Sequence, residues 1–193
     1  LDDHTYALFP SYNRKIVQRE SFWPISLFAK DQLRQRMAFA LSQVFVISRA
    51  DSNISKTPRG IGAYWDLLAT NAFGSYRQLL EEVTFSPMMG LYLSHFRNAK
   101  ADEQNGTFPD ENFAREIMQL FTFGLVHRKQ DGSVILADNN LPIPTYDNLV
   151  IREMARVFTG MGLSYTSDSD GSNVRENTSF NRGRCGPIES DQY

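Results

Sequence analysis

The stretch Pro109-Asp110-Glu111-Asn112-Phe113-Ala114-Arg115-Glu116-Ile117-Met118-Gln119-Leu120-Phe121-Thr122-Phe123-Gly124 reads as one complete helix. Pro109 disfavours helix before it, and Asp110 is placed to cap the first free N–H groups. Gly124 stands where a left-handed residue ends a helix. At about 100° per residue, Phe113, Ala114, Ile117, Met118, Leu120 and Phe121 share a broad apolar arc. Glu111, Asn112, Arg115, Glu116 and Gln119 fall opposite. Glu111 and Arg115 are i,i+4 neighbours, as are Asn112 and Glu116. Asn112 and Arg115 are directional hydrogen-bonding groups, unlike the Lys/Glu mixture of a simple solvated face. Such a polar face reads as a solvated face with one weak ion pair, as a site, or as a buried network.

Working outward, the same punctuation recurs. Asp31 is placed to cap a helix over about 32–48, with Leu33, Met37, Ala40, Leu41, Val44 and Phe45 on one face. Thr57-Pro58 gives an N-cap and an N1 proline before Ile61, Tyr64, Trp65 and Leu68. Gly74-Ser75 breaks the chain before a short helix facing inward through Tyr76, Leu79, Leu80 and Val83. Ser86-Pro87 repeats the cap-plus-proline signal ahead of a helix from Met88 to Phe96, and residues 97–108 are a polar loop. Asp147 caps a helix of about 148–159 whose core face is Val150, Ile151, Met154, Ala155, Val157 and Phe158.

Between the last two helices the pattern changes. Asp131-Gly132 and Asn139-Asn140 are turn signals around the β-prone Val134-Ile135-Leu136, and Pro142 and Pro144 impose extended backbone. The fold class read from the chain is therefore all-α, mainly helical. It is a multi-helix single domain over 1–163, with a small β-hairpin or ordered loop near 126–146. Residues 164–193 carry too few apolar groups to offset ordering and read as an irregular polar tail. No repeat is evident.

Several segments together resemble a bacterial family known as domain of unknown function 1800. The 109–124 helix looks like its hallmark. Gln32-Leu33-Arg34-Gln35-Arg36-Met37, Asn71-Ala72-Phe73-Gly74-Ser75-Tyr76-Arg77-Gln78-Leu79-Leu80 and Ser86-Pro87-Met88-Met89-Gly90 agree in order and spacing. So do Ile143-Pro144-Thr145-Tyr146 and Ala155-Arg156-Val157-Phe158-Thr159-Gly160. The resemblance spans roughly residues 22 to 163. Asp110, Phe113 and Met161 depart from the family's usual Asn, Tyr and aromatic. Family members are typically longer, so the chain reads as the middle of one. The resemblance implies no established activity. It does imply export to the periplasm or beyond, and work with a protein partner.

Composition narrows the function classes. Hydrophobic residues make up 41% and aromatics 12% of 193 residues, enough for a packed core. The net charge of −2 argues against a nucleic-acid partner, which would call for a basic footprint. No apolar run is long enough for a transmembrane segment. The single cysteine, Cys185, can form no internal disulfide and makes a cysteine-based metal site unpromising.

No cofactor motif and no metal site is expected. His4, His95 and His127 are far apart, lack zinc-helix spacing and read as surface or interface residues. Asp131, Ser133 and Asp138 do not fit a calcium loop, and turn chemistry explains them. What remains is a carboxylate set, Asp110, Glu111, Glu116, Asp147 and Glu153, with three arginines. The catalytic candidates are Glu111, Asn112, Arg115 and Glu116, since two carboxylates in unequal environments can divide acid and base roles. The competing reading makes Arg115, Glu116, Arg152 and Arg156 a structural ion network joining the 110–123 and 148–159 helices, with Arg115 and Glu116 buried.

Three functions follow as expectations. The first is an exported or envelope-associated interaction scaffold. The second is a hydrolase or lyase acting on an envelope or extracellular polymer through the 110–116 carboxylates. The third is a structural subunit of an assembly.

Overall fold

The computed structural model describes residues 22–162 and, beyond them, the backbone of Thr166–Ser167 and Asn173–Val174. The protein is mainly helical, with seven helices among the described residues. They are α1 (22–28), α2 (Gln32–Val44), α3 (Pro58–Thr70), α4 (Tyr76–Thr84), α5 (Pro87–Tyr92), α6 (Asn112–Gln119) and α7 (Asn148–Val157). The chain groups into two compact units that divide between Met88 and Met89.

In the first unit α2 packs on α3, and α3 on α4. Its core holds Ala38, Phe45, Ile54, Leu68, Leu79 and Val83. Tyr64 is buried, and its hydroxyl donates to the Phe45 carbonyl at 2.9 Å. Burial pushes that hydroxyl well above the ordinary tyrosine range. Thr57 precedes Pro58 as expected, but its hydroxyl donates to the Ile54 carbonyl instead of capping α3. The expected inner face of α2 needs correction. Leu33 and Val44 are exposed, while Ala38 is the fully buried position. The cause is that α2 meets its unit chiefly through α3, and one helical neighbour covers a narrow stripe.

In the second unit α6 packs on α7. Phe113, Ala114, Ile117 and Met118 are buried, together with Ile151, Ala155 and Phe158. Phe113 is the centre. Its ring stacks on His95 at 3.9 Å and meets Phe158 edge-on at 4.8 Å. The helix is shorter than its apolar arc suggests. Leu120 and Phe121 N–H groups share the Glu116 carbonyl, and the Thr122 hydroxyl takes the Ile117 carbonyl at 2.7 Å. The chain thus leaves the helix after Gln119. Gly124, at φ +77°, returns its N–H to the Met118 carbonyl. Asp147 caps α7 as expected, accepting from the Val150 N–H at 3.0 Å.

Residues 125–145 form more than a hairpin. His127 N–H donates to Ile143, Ile143 N–H to Ile135, and Ile135 N–H to His127, at 2.9, 3.1 and 2.9 Å. These carbonyl and amide groups close a ring of three extended segments. The bridges Val126 with Pro144, Arg128 with Val134 and Leu136 with Pro142 repeat the pattern. Each ring position lies eight residues from the next. Turns of like design join the segments. Gly132 and Asn140, at φ +84° and +60°, donate to the Lys129 and Ala137 carbonyls. The Asp131 and Asn139 side chains accept from the Ser133 and Leu141 N–H groups. The chain therefore contains an eight-residue repeat where none was read. Each segment is bridged to both of the others.

One further pairing was not expected. Thr166–Ser167 runs antiparallel to Asn173–Val174. The remainder of the 164–193 tail lies outside the described residues, as does His4.

Candidate functional site

The polar face of α6 is where the sequence placed its candidates. Glu111 is the residue before the first helical turn, so its carboxylate can reach back along the helix. Arg115 meets it one turn later, guanidinium to carboxylate at 2.6 Å. The other carboxylate oxygen of Glu111 lies 4.0 Å from Nε of Arg152 on α7. One carboxylate thus stands between two guanidiniums on neighbouring helices. Asn112 is exposed and directs its amide to the Ser94 hydroxyl at 3.5 Å.

The seam is open to solvent. The Arg115 side chain is 46% exposed and Arg152 71%, so the expected burial of Arg115 is corrected. An exposed i,i+4 pair of this kind is worth about 0.3–0.5 kcal/mol. The physical reason lies in α7, which meets α6 through apolar side chains and leaves its arginines at the rim. Glu116 is half-buried, and among the described residues no cation pairs with its carboxylate. Arg156 pairs with Glu153 of its own helix at 3.1 Å. Of the four residues assigned to one network, the structure joins only Arg115 and Arg152, through Glu111.

The carboxylates do not converge either. Five residues along a helix place Glu111 and Glu116 about 140° apart around its axis. Among the described residues, no group of three or more His, Cys, Asp or Glu side chains gathers as metal ligands.

The residues that organise this region lie one segment earlier. Asn98, 6% exposed, donates its side-chain amide to the Asp110 carbonyl at 3.1 Å and accepts from the Asp110 N–H at 2.8 Å. Its own carbonyl accepts from the Gly160 N–H at 2.9 Å. One asparagine therefore ties the entry of α6 to the exit of α7. Next to it the Arg97 N–H donates to the Met161 carbonyl at 2.7 Å. His95 is buried against Phe113, which corrects its reading as a surface or interface residue. Ser94 and Arg97, the residues just before His95 and Asn98, are in left-handed backbone, at φ +66° and +58°. Non-glycine residues adopt that geometry only where the surroundings impose it. In the sequence Asn98 was one polar residue of a loop, and nothing distinguished it from its neighbours.

The same loop carries a self-contained turn. The Asn105 amide donates to the Asp102 carboxylate at 2.7 Å, and Asp102 and Thr107 exchange backbone hydrogen bonds at 2.9 Å. The hydrogen bonds from Asn105 hold the Asp102 carboxyl below the usual carboxylate range. Asp131 is held low in the same way by Ser133, which accounts for it as a turn residue.

No helix among the described residues is long and apolar enough to cross a membrane. No curated protein and no solved structure matches the chain. A family model matches residues 11–186, most of the chain and all of the motifs quoted above. The chain belongs to the family described as "Protein of unknown function (DUF1800)".

Proposed function

We propose that this protein is an envelope-associated interaction scaffold whose partner protein docks on the outer face of α7. The observation that carries the reading is the make-up of that face. Leu149 and Val157 are both exposed on it, between Arg152, Glu153 and Arg156. Helical spacing places all five within roughly 140° of one another around the axis. Arginine is enriched at protein interfaces, and exposed aliphatic groups beside it can bury while the guanidiniums find hydrogen-bond acceptors. Glu111 then orients Arg152 for a partner. The envelope setting is the one the family resemblance implies, and it is part of the proposal.

The alternative, a hydrolase or lyase using Glu111 and Glu116, has weaker support. The two carboxylates diverge, and one already neutralises an arginine. The third reading, a subunit of a repeating assembly, differs in making the partner a second copy.

Site-specific photocrosslinking in the producing cell tests the proposal. A photoreactive residue at Leu149 is expected to give a discrete heterologous adduct that Arg152→Glu abolishes. The same residue at Lys129, exposed on the three-segment ring, is expected to give none. A self-adduct from position 149 would support the assembly instead. Equal adducts from 149 and 129, or none from 149, would contradict docking on α7.

A further inference from the structure

The most apolar exposed element is α1. Phe22 fastens it to the first unit, edge-on to Trp65 at 5.2 Å. The residues after Phe22 point elsewhere. Trp23 and Leu27 are 62% exposed and Phe28 is 81% exposed, and Leu33 at the start of α2 is also exposed. A water-facing helix would carry polar groups at most of these positions.

Charge says what covers it. Residues 22–30 contain no carboxylate. Exposed Lys30 and Arg36 follow directly. Arg34 is held inward, with its guanidinium on the Ala69 carbonyl at 2.8 Å and over the Phe73 ring. Across residues 14–36 the sequence has six cations, Arg14, Lys15, Arg19, Lys30, Arg34 and Arg36, against Glu20 and Asp31. This basic run sits in a chain whose net charge is −2. An apolar helix bearing tryptophan and phenylalanine, bordered by lysine and arginine, matches the boundary between acyl chains and anionic headgroups. The rings enter the boundary and the cations meet the headgroups. A second copy fits poorly, since a two-fold contact would set Lys30 and Arg36 against the same residues.

We infer that α1 docks this protein on the surface of an anionic lipid bilayer, with Trp23, Leu27 and Phe28 inserted and Lys30 and Arg36 on the headgroups. This docking rests on α1 and is independent of the role given to α7. A positive photocrosslink from Leu149 can coexist with failure here, and the reverse holds too.

Co-sedimentation of the full chain with vesicles tests it. Vesicles of phosphatidylcholine with a phosphatidylglycerol fraction are expected to carry the parent protein down, and added salt is expected to weaken binding. Pure phosphatidylcholine vesicles are expected to retain little. Leu27→Ser combined with Phe28→Ser is expected to weaken binding about tenfold or more. Lys30→Glu combined with Arg36→Glu, which leaves the apolar groups intact, is expected to weaken it by about fivefold or more per residue, on the anionic vesicles alone. All four side chains are exposed, and unchanged circular dichroism confirms that the variants fold. Three results would each overturn the inference. One is a parent protein that stays in solution with anionic vesicles. Another is binding that neither double variant changes. The third is a parent dimer that the Leu27/Phe28 variant dissociates while vesicle binding persists, which would make α1 a contact between copies.

Discussion

Phe113→Ala is expected to lower the free energy of unfolding by about 3–5 kcal/mol, the largest effect of any single substitution considered. The ring is 1% exposed, so its whole apolar area returns to water in the unfolded chain. It also contacts aromatic groups from separate parts of the second unit, stacking on His95 and meeting Phe158 edge-on, with Phe121 at 6.4 Å. Truncation leaves a cavity walled by those rings, which cannot collapse without moving α6, α7 and the 94–98 loop together. Denaturant unfolding of parent and variant measures the difference. Phe113→Tyr, which keeps the ring, is expected to cost far less.

Asn98→Ala is expected to cost about 1–3 kcal/mol, second only to Phe113→Ala. The apolar contribution is small. The loss comes from the Asp110 N–H and carbonyl, which are left without the side chain that satisfies both. Asp110 is itself exposed, so water can take over in part, and each hydrogen bond lost costs about 0.5–1.5 kcal/mol. Asn98→Asp keeps an acceptor for the Asp110 N–H but loses the donor for its carbonyl, so it should fall between parent and alanine. Hydrogen exchange at the Asp110 amide locates the effect, which should be absent in Lys100→Ala.

The contrast between these residues shows what a sequence discloses. Phe113 declared itself by its place in a helical apolar arc, and Asp147 by its place before the next arc. Both depend on local spacing, which the chain carries explicitly. Asn98 works through two long-range contacts with the backbone at 110 and 160, and no local pattern encodes those. The 125–145 segment was legible as a small hairpin or ordered loop, but its repeat was not, for a related reason. Its repeat resides in backbone hydrogen bonds, while the equivalent ring positions hold His127, Ile135 and Ile143. The turn pairs Asp131-Gly132 and Asn139-Asn140, eight residues apart, were the one visible trace. Leu33 and Val44 show the limit of periodicity. It assigns residues to a common face but does not say whether anything covers it.

Arg115 teaches the same lesson from the polar side. Its spacing from Glu111 correctly implied the ion pair. Whether that pair was sealed inside a lattice or open at the surface depended on α7, whose Ile151 and Ala155 are buried while Arg152 stays at the rim. The family's hallmark helix thus divides into a buried apolar face that specifies the fold and a solvent-facing polar seam.

The most direct test of that division is the unfolding free energy of one variant carrying Glu111→Gln, Arg115→Gln and Arg152→Gln together. All three side chains lose their charge; the change is isosteric at Glu111 and shortens the two arginines, whose side chains are largely exposed. A surface seam predicts a change within about 1 kcal/mol of the parent protein. A loss of about 3–5 kcal/mol, on the scale of Phe113→Ala, would contradict it and make these charges a structural lattice after all.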